Sequence, residues 1–337
     1  MSRFEGGTNH LRLWGSEEFQ AQALDWIRAA PAGEGTVVHG PLVPHRLRFW
    51  SAVFTVETAR GRLWFKATNP GQAFEAGLLA ELARLMPQHV VNPVAVDRSR
   101  GWLLLPDGGT VLAARERTAP ADWHELLIRA AQLQAGTAPH ADKLLAAGLP
   151  LLTPEQGTRY AAELIDALAM LPASHPQHLH AAQAGHLAAG LHTAGRAFRD
   201  LEAVGIPLCL QPNDVTPQNA FRDAAGLRLF DFGDAFWSHP FAVLQVPMRM
   251  ACGSWPRPAP AGDAAVNSMA GAYMGQWPLA SGSDLRILAE AADRLASLHR
   301  CESWRRLLAG THPDAVGDRP PRLADWLADA LRPASRS

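Results

Sequence analysis

Three polar residues in one stretch carry groups that suit a single chemistry. Asp214 is followed five positions later by Asn219 and, twelve positions further on, by Asp231, which opens the tetrapeptide Asp231-Phe232-Gly233-Asp234. One carboxylate can meet an acceptor hydroxyl and take its proton, while a second carboxylate and an amide oxygen can hold Mg²⁺ against nucleotide phosphates. Phosphoryl transfer uses that set. Asp214 is the candidate base, Asn219 and Asp231 are the candidate metal ligands, and Asp234 is a secondary candidate.

The flanking residues say how these groups could be brought together. Residues 206–210 are a short apolar run ending in Gln211-Pro212-Asn213, which predicts a strand feeding a turn. Residues 219–222 and 227–230 are brief strand-like runs, and Asp223-Ala224-Ala225-Gly226 between them ends on a glycine able to supply the positive φ of a tight hairpin. Such a hairpin returns Asn219 and Asp231 to the same end of its two strands.

Upstream, residues 16–30 predict an amphipathic helix capped by Ser16. From residue 36 to residue 68 the texture changes to β-favouring runs at 36–38, 47–49, 52–58 and 62–68, which predicts an antiparallel meander. In the last run Lys66 is a polar residue in an apolar strand, on the face opposite Phe65 and Ala67. A lysine there needs an anionic partner, and the next helix offers Glu75. Asn69 caps that helix, Pro70 suits its first turn, and Phe74, Leu78, Leu82 and Leu85 form its apolar stripe.

With Lys66, Glu75, Asp214, Asn219 and Asp231 in this order, the chain resembles the aminoglycoside phosphotransferase family, kinases of small molecules that share the protein-kinase fold. The resemblance implies an α+β, two-lobed protein-kinase-like fold, with an antiparallel sheet in the N-lobe and a helical C-lobe. It also implies roles. Lys66 would contact the non-terminal phosphates of ATP or GTP and Glu75 would fix Lys66. Ser51, in the turn Arg48-Phe49-Trp50-Ser51, would lie over the phosphates, Leu103 and Leu105 would meet the base, and Asn219 and Asp231 would bind Mg²⁺. Two positions depart from the family pattern: the usual His two places before the catalytic Asp is Pro212, and the turn over the phosphates has no glycine.

The expected division is a nucleotide-binding lobe over 1–105 and a helical lobe over 106–337, with the break at Leu105-Pro106-Asp107-Gly108-Gly109. Strand candidates at 90–96 and 102–105 precede it. Helices are predicted near 123–133, 140–147 and 153–170, as one long helix over 178–204, and near 263–276, 284–308 and 322–331. Trp255, Tyr273, Trp277 and Trp304 are either walls of an acceptor pocket or core aromatics.

Composition bounds the rest. The chain has 337 residues, 47% hydrophobic and 19% charged, with a formal net charge of −1, so nothing in it draws nucleic acid or an anionic membrane. Cys209, Cys252 and Cys301 are far apart and form no CxxC or Cys/His motif, which points to a reduced, cytoplasmic protein. No apolar run approaches the roughly eighteen residues of a membrane span, and the first residues are not a leader. His175, His178, His180, His186 and His192 lack an HExxH form and are expected as surface histidines rather than zinc ligands.

The sequence therefore points to transfer of the γ-phosphate of ATP or GTP to a hydroxyl of a small acceptor. An antibiotic, a sugar or a similar metabolite fits, with resistance or producer self-protection among the roles. Choline and homoserine kinases share the motifs. A nucleotide-binding pseudokinase serving as a regulatory or interaction module is the alternative, on the grounds of Pro212 and the glycine-free turn. Acceptor, nucleotide preference and oligomeric state stay open.

Overall fold

Alternation across residues 51–68 puts Phe54, Val56, Phe65 and Ala67 on one face of a sheet, and they bury there with Trp102 and Leu104. The computed structural model describes residues 7–30, 37–114, 118–224, 226–259, 263–279, 282–317 and 320–333. Residue 36 of the first predicted run and Ala225 of the predicted hairpin turn lie outside these. The chain opens with α1 (His10–Gly15) and α2 (Glu17–Ala29), then lays down β1 (Val38–Arg48), β2 (Ser51–Thr58) and β3 (Gly61–Thr68). After α3 (Phe74–Leu85), β4 (Ala95–Asp97) and β5 (Trp102–Pro106) complete an antiparallel sheet of order β1-β2-β3-β5-β4.

Phe19, Ala23 and Ile27 of α2 cover the apolar face of the sheet, and Ser16 caps that helix by accepting from the Phe19 amide at 3.2 Å. Two strand expectations are corrected. Val38 of the first run and Leu47 and Arg48 of the second belong to one strand, β1, whose register shifts between His39 and Val43 and again between Pro44 and Arg46. Pro41 and Pro44 have no N–H to give a ladder, and bulges on an edge strand accommodate them. Of the apolar run 90–96, only its end pairs within the sheet. Val90 instead bridges to Leu229, outside the sheet.

The remainder is mainly helical: α4 (Pro120–Thr137), α5 (Ala141–Ala146), α6 (Pro154–Ala169), α7 (Ala181–Ala189) and α8 (Leu191–Ala203). Four short strands follow, β6 (Cys209–Gln211), β7 (Ala220–Asp223), β8 (Gly226–Leu229) and β9 (Phe236–Ser238). The chain continues through α9 (Gln245–Ala251), α10 (Ala264–Met274), α11 (Leu285–Leu308), α12 (Pro313–Val316) and α13 (Leu323–Leu331). The long helix predicted over 178–204 is two helices that part at Gly190, a position where Leu331 passes so close that a Cβ would stand 2.0 Å from its carbonyl oxygen. Fold class is as expected, a five-stranded antiparallel sheet beside a helical lobe. Among the described residues no helix is long and apolar enough to cross a membrane.

Two features join sheet and helices. Leu78, Leu79 and Leu82 of α3 and Leu103 of β5 belong to the same apolar core as Leu126, Leu127, Leu295 and Leu298 of the helical lobe. On another side, the β1–β2 turn lays Phe49 and Trp50 against Trp304 of α11, with ring centroids 6.1 and 5.9 Å apart. Asn69 secures that turn. Its Nδ2 donates to the Phe49 carbonyl at 3.0 Å and to Thr311 Oγ1 at 2.9 Å, and its Oδ1 accepts from the Gly71 amide at 2.9 Å. Asn69→Ala leaves these buried groups without their partner and is expected to cost about 2 kcal/mol. The check is a lowered urea midpoint at unchanged slope.

Candidate active site

Two small ladders converge on one point. β6 pairs antiparallel with β9, Gln211 opposite Phe236, so the turn that leaves β6 and the turn that enters β9 emerge at the same end. That sets Asp214 beside Asp234. β7 pairs with β8, Ala220 opposite Leu229, and the Phe230 amide donates to the Asn219 carbonyl at 3.1 Å, which sets Asn219 beside the segment that begins with Asp231. The predicted hairpin and its effect on Asn219 and Asp231 are thus present.

Two residues other than glycine have positive φ among the described residues, Asn213 at 64° and Asp231 at 67°, and both lie here. Such left-handed backbone costs free energy unless its surroundings hold it. Asn213 is held by its side chain. Gln211 Nε2 donates to Asn213 Oδ1 at 2.8 Å, and Asn213 Nδ2 donates to the Asp234 carbonyl at 2.9 Å. The loop carrying Asp214 is therefore tied to its neighbour although Pro212 has no side-chain donor.

Lys66 reaches in from β3. Its Nζ is 2.7 and 2.8 Å from the two oxygens of Glu75 and 2.8 Å from Asp231 Oδ1, so sheet, α3 and metal-segment candidate meet at one ammonium. Glu75 also accepts from the Phe232 amide at 3.0 Å. Asn219 Nδ2 donates to the Asp214 carbonyl at 3.0 Å and approaches Asp214 Oδ2 at 3.3 Å. On the far side of Asp214, Arg300 of α11 donates from Nη2 to Asp214 Oδ1 at 2.7 Å and from Nη1 to Asp234 Oδ2 at 2.8 Å. Asp234 Oδ1 accepts from Gln72 Nε2 at 2.9 Å.

Burial presses on the charges of Asp214, Glu75, Asp231 and Lys66. It raises the carboxyls of Asp214 and Glu75 above the ordinary range. At Asp231 burial acts the same way, but the Lys66 ammonium outweighs it and holds the carboxyl below that range. Burial also works against the charge on Lys66, and there Asp231 and Glu75 together win, so the ammonium titrates above a free lysine. Four carboxylates thus share two cations, Lys66 and Arg300.

Cross-strand register locates the remaining candidates. Arg46, Val53, Lys66 and Leu103 pair in sequence across β1, β2, β3 and β5 and so stand in one row on the same face of the sheet. Ser51 shares that face, two positions from Val53, and is buried. Leu103 is 0% exposed and lies between β3 and β4 partners, whereas Leu105 is half-buried at the end of its strand, beyond the last β4 pair. Of the four aromatic wall candidates, Tyr273 and Trp277 are core. Trp255 is 38% exposed and its ring faces the Arg300 guanidinium at 5.3 Å, and Trp304 packs on the β1–β2 turn.

Arg300, Gln72 and Arg46 had no place in the motif reading. For Arg300 a signal existed: Ala292, Ala296 and Arg300 recur every four residues on the buried side of α11, and a cation at a core position must have buried anions. Asn219 spends Nδ2 on Asp214 and Asp231 spends Oδ1 on Lys66, which leaves Asn219 Oδ1 and Asp231 Oδ2 as hard oxygen donors for a divalent cation. Among the described residues no three His, Cys, Asp or Glu side chains form a metal cage, so such a cation would need oxygens from a ligand as well.

No family profile matches the chain, and no curated protein matches it in sequence. Solved structures do match in fold. The macrolide 2′-phosphotransferase of Brachybacterium faecium aligns over 95% of this chain and 100% of its own at 18% identity with a TM-score of 0.54. Choline kinase of Streptococcus pneumoniae aligns over 93% and 98% at 10% identity with a TM-score of 0.55. Ethanolamine kinase of Plasmodium vivax aligns over 87% and 80% at 10% identity with a TM-score of 0.56.

Proposed function

We propose that this protein is a small-molecule kinase of the aminoglycoside phosphotransferase type, moving the γ-phosphate of ATP or GTP to a hydroxyl of a small acceptor. The observation that carries the proposal is the ammonium of Lys66 bound at once to Glu75 and Asp231, with Asp214 and Asn219 beside it. That arrangement is what positioning phosphates, a metal and a nucleophile requires. The fold shared with phosphotransferases and with choline and ethanolamine kinases supports it.

In this reading the acceptor oxygen attacks the γ-phosphorus as its proton passes to Asp214. The new P–O bond forms while the bond to the β–γ bridging oxygen breaks, and its electron pair leaves on the nucleoside diphosphate. Asn219 Oδ1 and Asp231 Oδ2 would hold Mg²⁺, and the excess of carboxylates over cations in the cluster suits a divalent ion. When bound, Mg²⁺ would offset the charge on the phosphates and on the departing bridge oxygen. Lys66, fixed by Glu75, would contact the non-terminal phosphates. Leu105 and the segment after it, rather than the buried Leu103, would meet the base. We assign residues 1–105 to the nucleotide lobe and 106–337 to the acceptor lobe, with Trp255 and Trp304 toward the acceptor. Free thiols at Cys209, Cys252 and Cys301 fit a cytoplasmic protein.

A turn without glycine offers its backbone poorly to phosphates, and Ser51 is buried. Arg46, exposed in the Lys66 row, would supply the missing positive charge. Arg46→Ala is expected to weaken Mg-nucleotide binding about fivefold at low salt, worth roughly 1 kcal/mol for an exposed charge, and less at high salt. Calorimetric titration at two salt concentrations checks both.

The test of function is incubation with Mg²⁺, ATP or GTP and a panel of macrolides, aminoglycosides, choline, ethanolamine and sugars, followed by phosphorus NMR. Nucleotide should be consumed beyond slow hydrolysis only where an acceptor is phosphorylated. Binding of Mg-nucleotide with no transfer to any acceptor would favour the pseudokinase alternative.

A further inference from the structure

We propose that Arg300 is the positioning residue of Asp214, fixing which carboxylate oxygen faces the acceptor and coupling that orientation to the nucleotide side of the cleft. The proposal rests on the kinase reading above.

The argument begins with what else could orient Asp214. Pro212 cannot donate from its side chain, and Asn213 ties the loop through the Asp234 backbone without touching the Asp214 carboxylate. Asn219 Nδ2 approaches Asp214 Oδ2 at 3.3 Å, a weak contact. Arg300 Nη2 binds Asp214 Oδ1 at 2.7 Å, the shortest hydrogen bond that carboxylate makes. The guanidinium is a rigid planar fork, so its second arm matters: Nη1 on Asp234 Oδ2 at 2.8 Å fixes the plane from which Nη2 points. Arg300 is 5% exposed and the Trp255 ring covers it, so water does not compete for the arrangement. With Oδ1 bound to Arg300, Oδ2 is the oxygen presented to an incoming hydroxyl.

The same fork reaches across the cleft. Asp234 Oδ1 accepts from Gln72, which lies between β3 and α3, immediately before the helix that carries Glu75. The side chains Gln72, Asp234, Arg300 and Asp214 therefore form one hydrogen-bonded line from the segment that positions Lys66 to the candidate base. A displacement of α3 and a displacement of Asp214 are not independent.

The test uses the full chain with Mg-ATP and water as acceptor, comparing the parent with Arg300→Met and Arg300→Lys, together with a crystal structure of Arg300→Met. Positioning predicts that folded Arg300→Met loses about 10²-fold in kcat, the cost of a misplaced reacting group. The KM for Mg-ATP should stay within about twofold, because ground-state nucleotide contacts are intact. Sub-denaturing guanidinium should restore part of the rate, Arg300→Lys should fall between the two, and the crystal should show the Asp214 carboxylate turned from its place. Parental kcat in folded Arg300→Met, or an unmoved Asp214 carboxylate in its crystal, overturns the proposal. A parent that neither binds nor hydrolyses Mg-ATP sinks the kinase reading instead, and the crystal still decides whether Arg300 orients Asp214.

Discussion

Asp214→Asn is expected to lower kcat for phosphate transfer by about 10³-fold, the middle of the range for loss of a general base. The substitution keeps the shape of the side chain and the hydrogen bond that its Oδ1 accepts from Arg300; it removes the negative charge, the capacity to take a proton and the weak 3.3 Å acceptor toward Asn219, which keeps its bond to the residue 214 carbonyl. Arg300 keeps Asp234 as a charged partner, so the cluster does not acquire a stranded cation. Because burial already disfavours the charged form of Asp214, neutralising it should not destabilise the unliganded protein. Mg-nucleotide affinity should also hold, since Lys66, Glu75 and Asp231 are untouched. The measurement is single-turnover transfer beside a nucleotide titration. A variant as fast as the parent would take Asp214 out of the chemistry.

Asp231→Asn is expected to abolish most of the magnesium-dependent stabilisation by nucleotide. That stabilisation is about 2.7 kcal/mol when ligand stands at one hundred times its Kd. Asparagine tolerates the left-handed backbone at φ 67° better than alanine would. The variant leaves Lys66 with Glu75 as its one remaining carboxylate and gives up the attraction between the Lys66 ammonium and Asp231 that holds the Asp231 carboxyl below its ordinary range. Unliganded stability should therefore fall somewhat at neutral pH, because the ionised Asp231 that is lost contributes stability there. Thermal unfolding with nucleotide, with and without Mg²⁺, separates the two effects. Equal Mg²⁺-dependent shifts in parent and variant would show that Asp231 is not a metal ligand.

Much of the cluster was legible because its parts obey local rules. Lys66 stood out as a charge in an apolar strand, Glu75 as its helix-borne partner, and Asn219 and Asp231 as the two feet of one hairpin. Those are short-range relations that periodicity and turn chemistry can express. Arg300 was not legible to the same degree. Its place depends on the rotation of α11 against loops far away in sequence, and two other buried arginines give the same signal with different destinations. Arg249 goes to Asp293 and Asp329, and Arg294 to Glu290 and to carbonyls near the end of α13. The close pass of Leu331 that requires a glycine at 190 is likewise a contact distant in sequence, and the bulges of β1 follow from prolines that an alternation count ignores.

The glycine-free turn has one more effect, through its seat on Trp304. Sheet and helices are joined at the core shared by α3 and α11 and again at this aromatic contact, so neither half can peel away while the other stays intact. A calorimeter should then record a single cooperative endotherm for the whole chain, with no separate melting of the sheet.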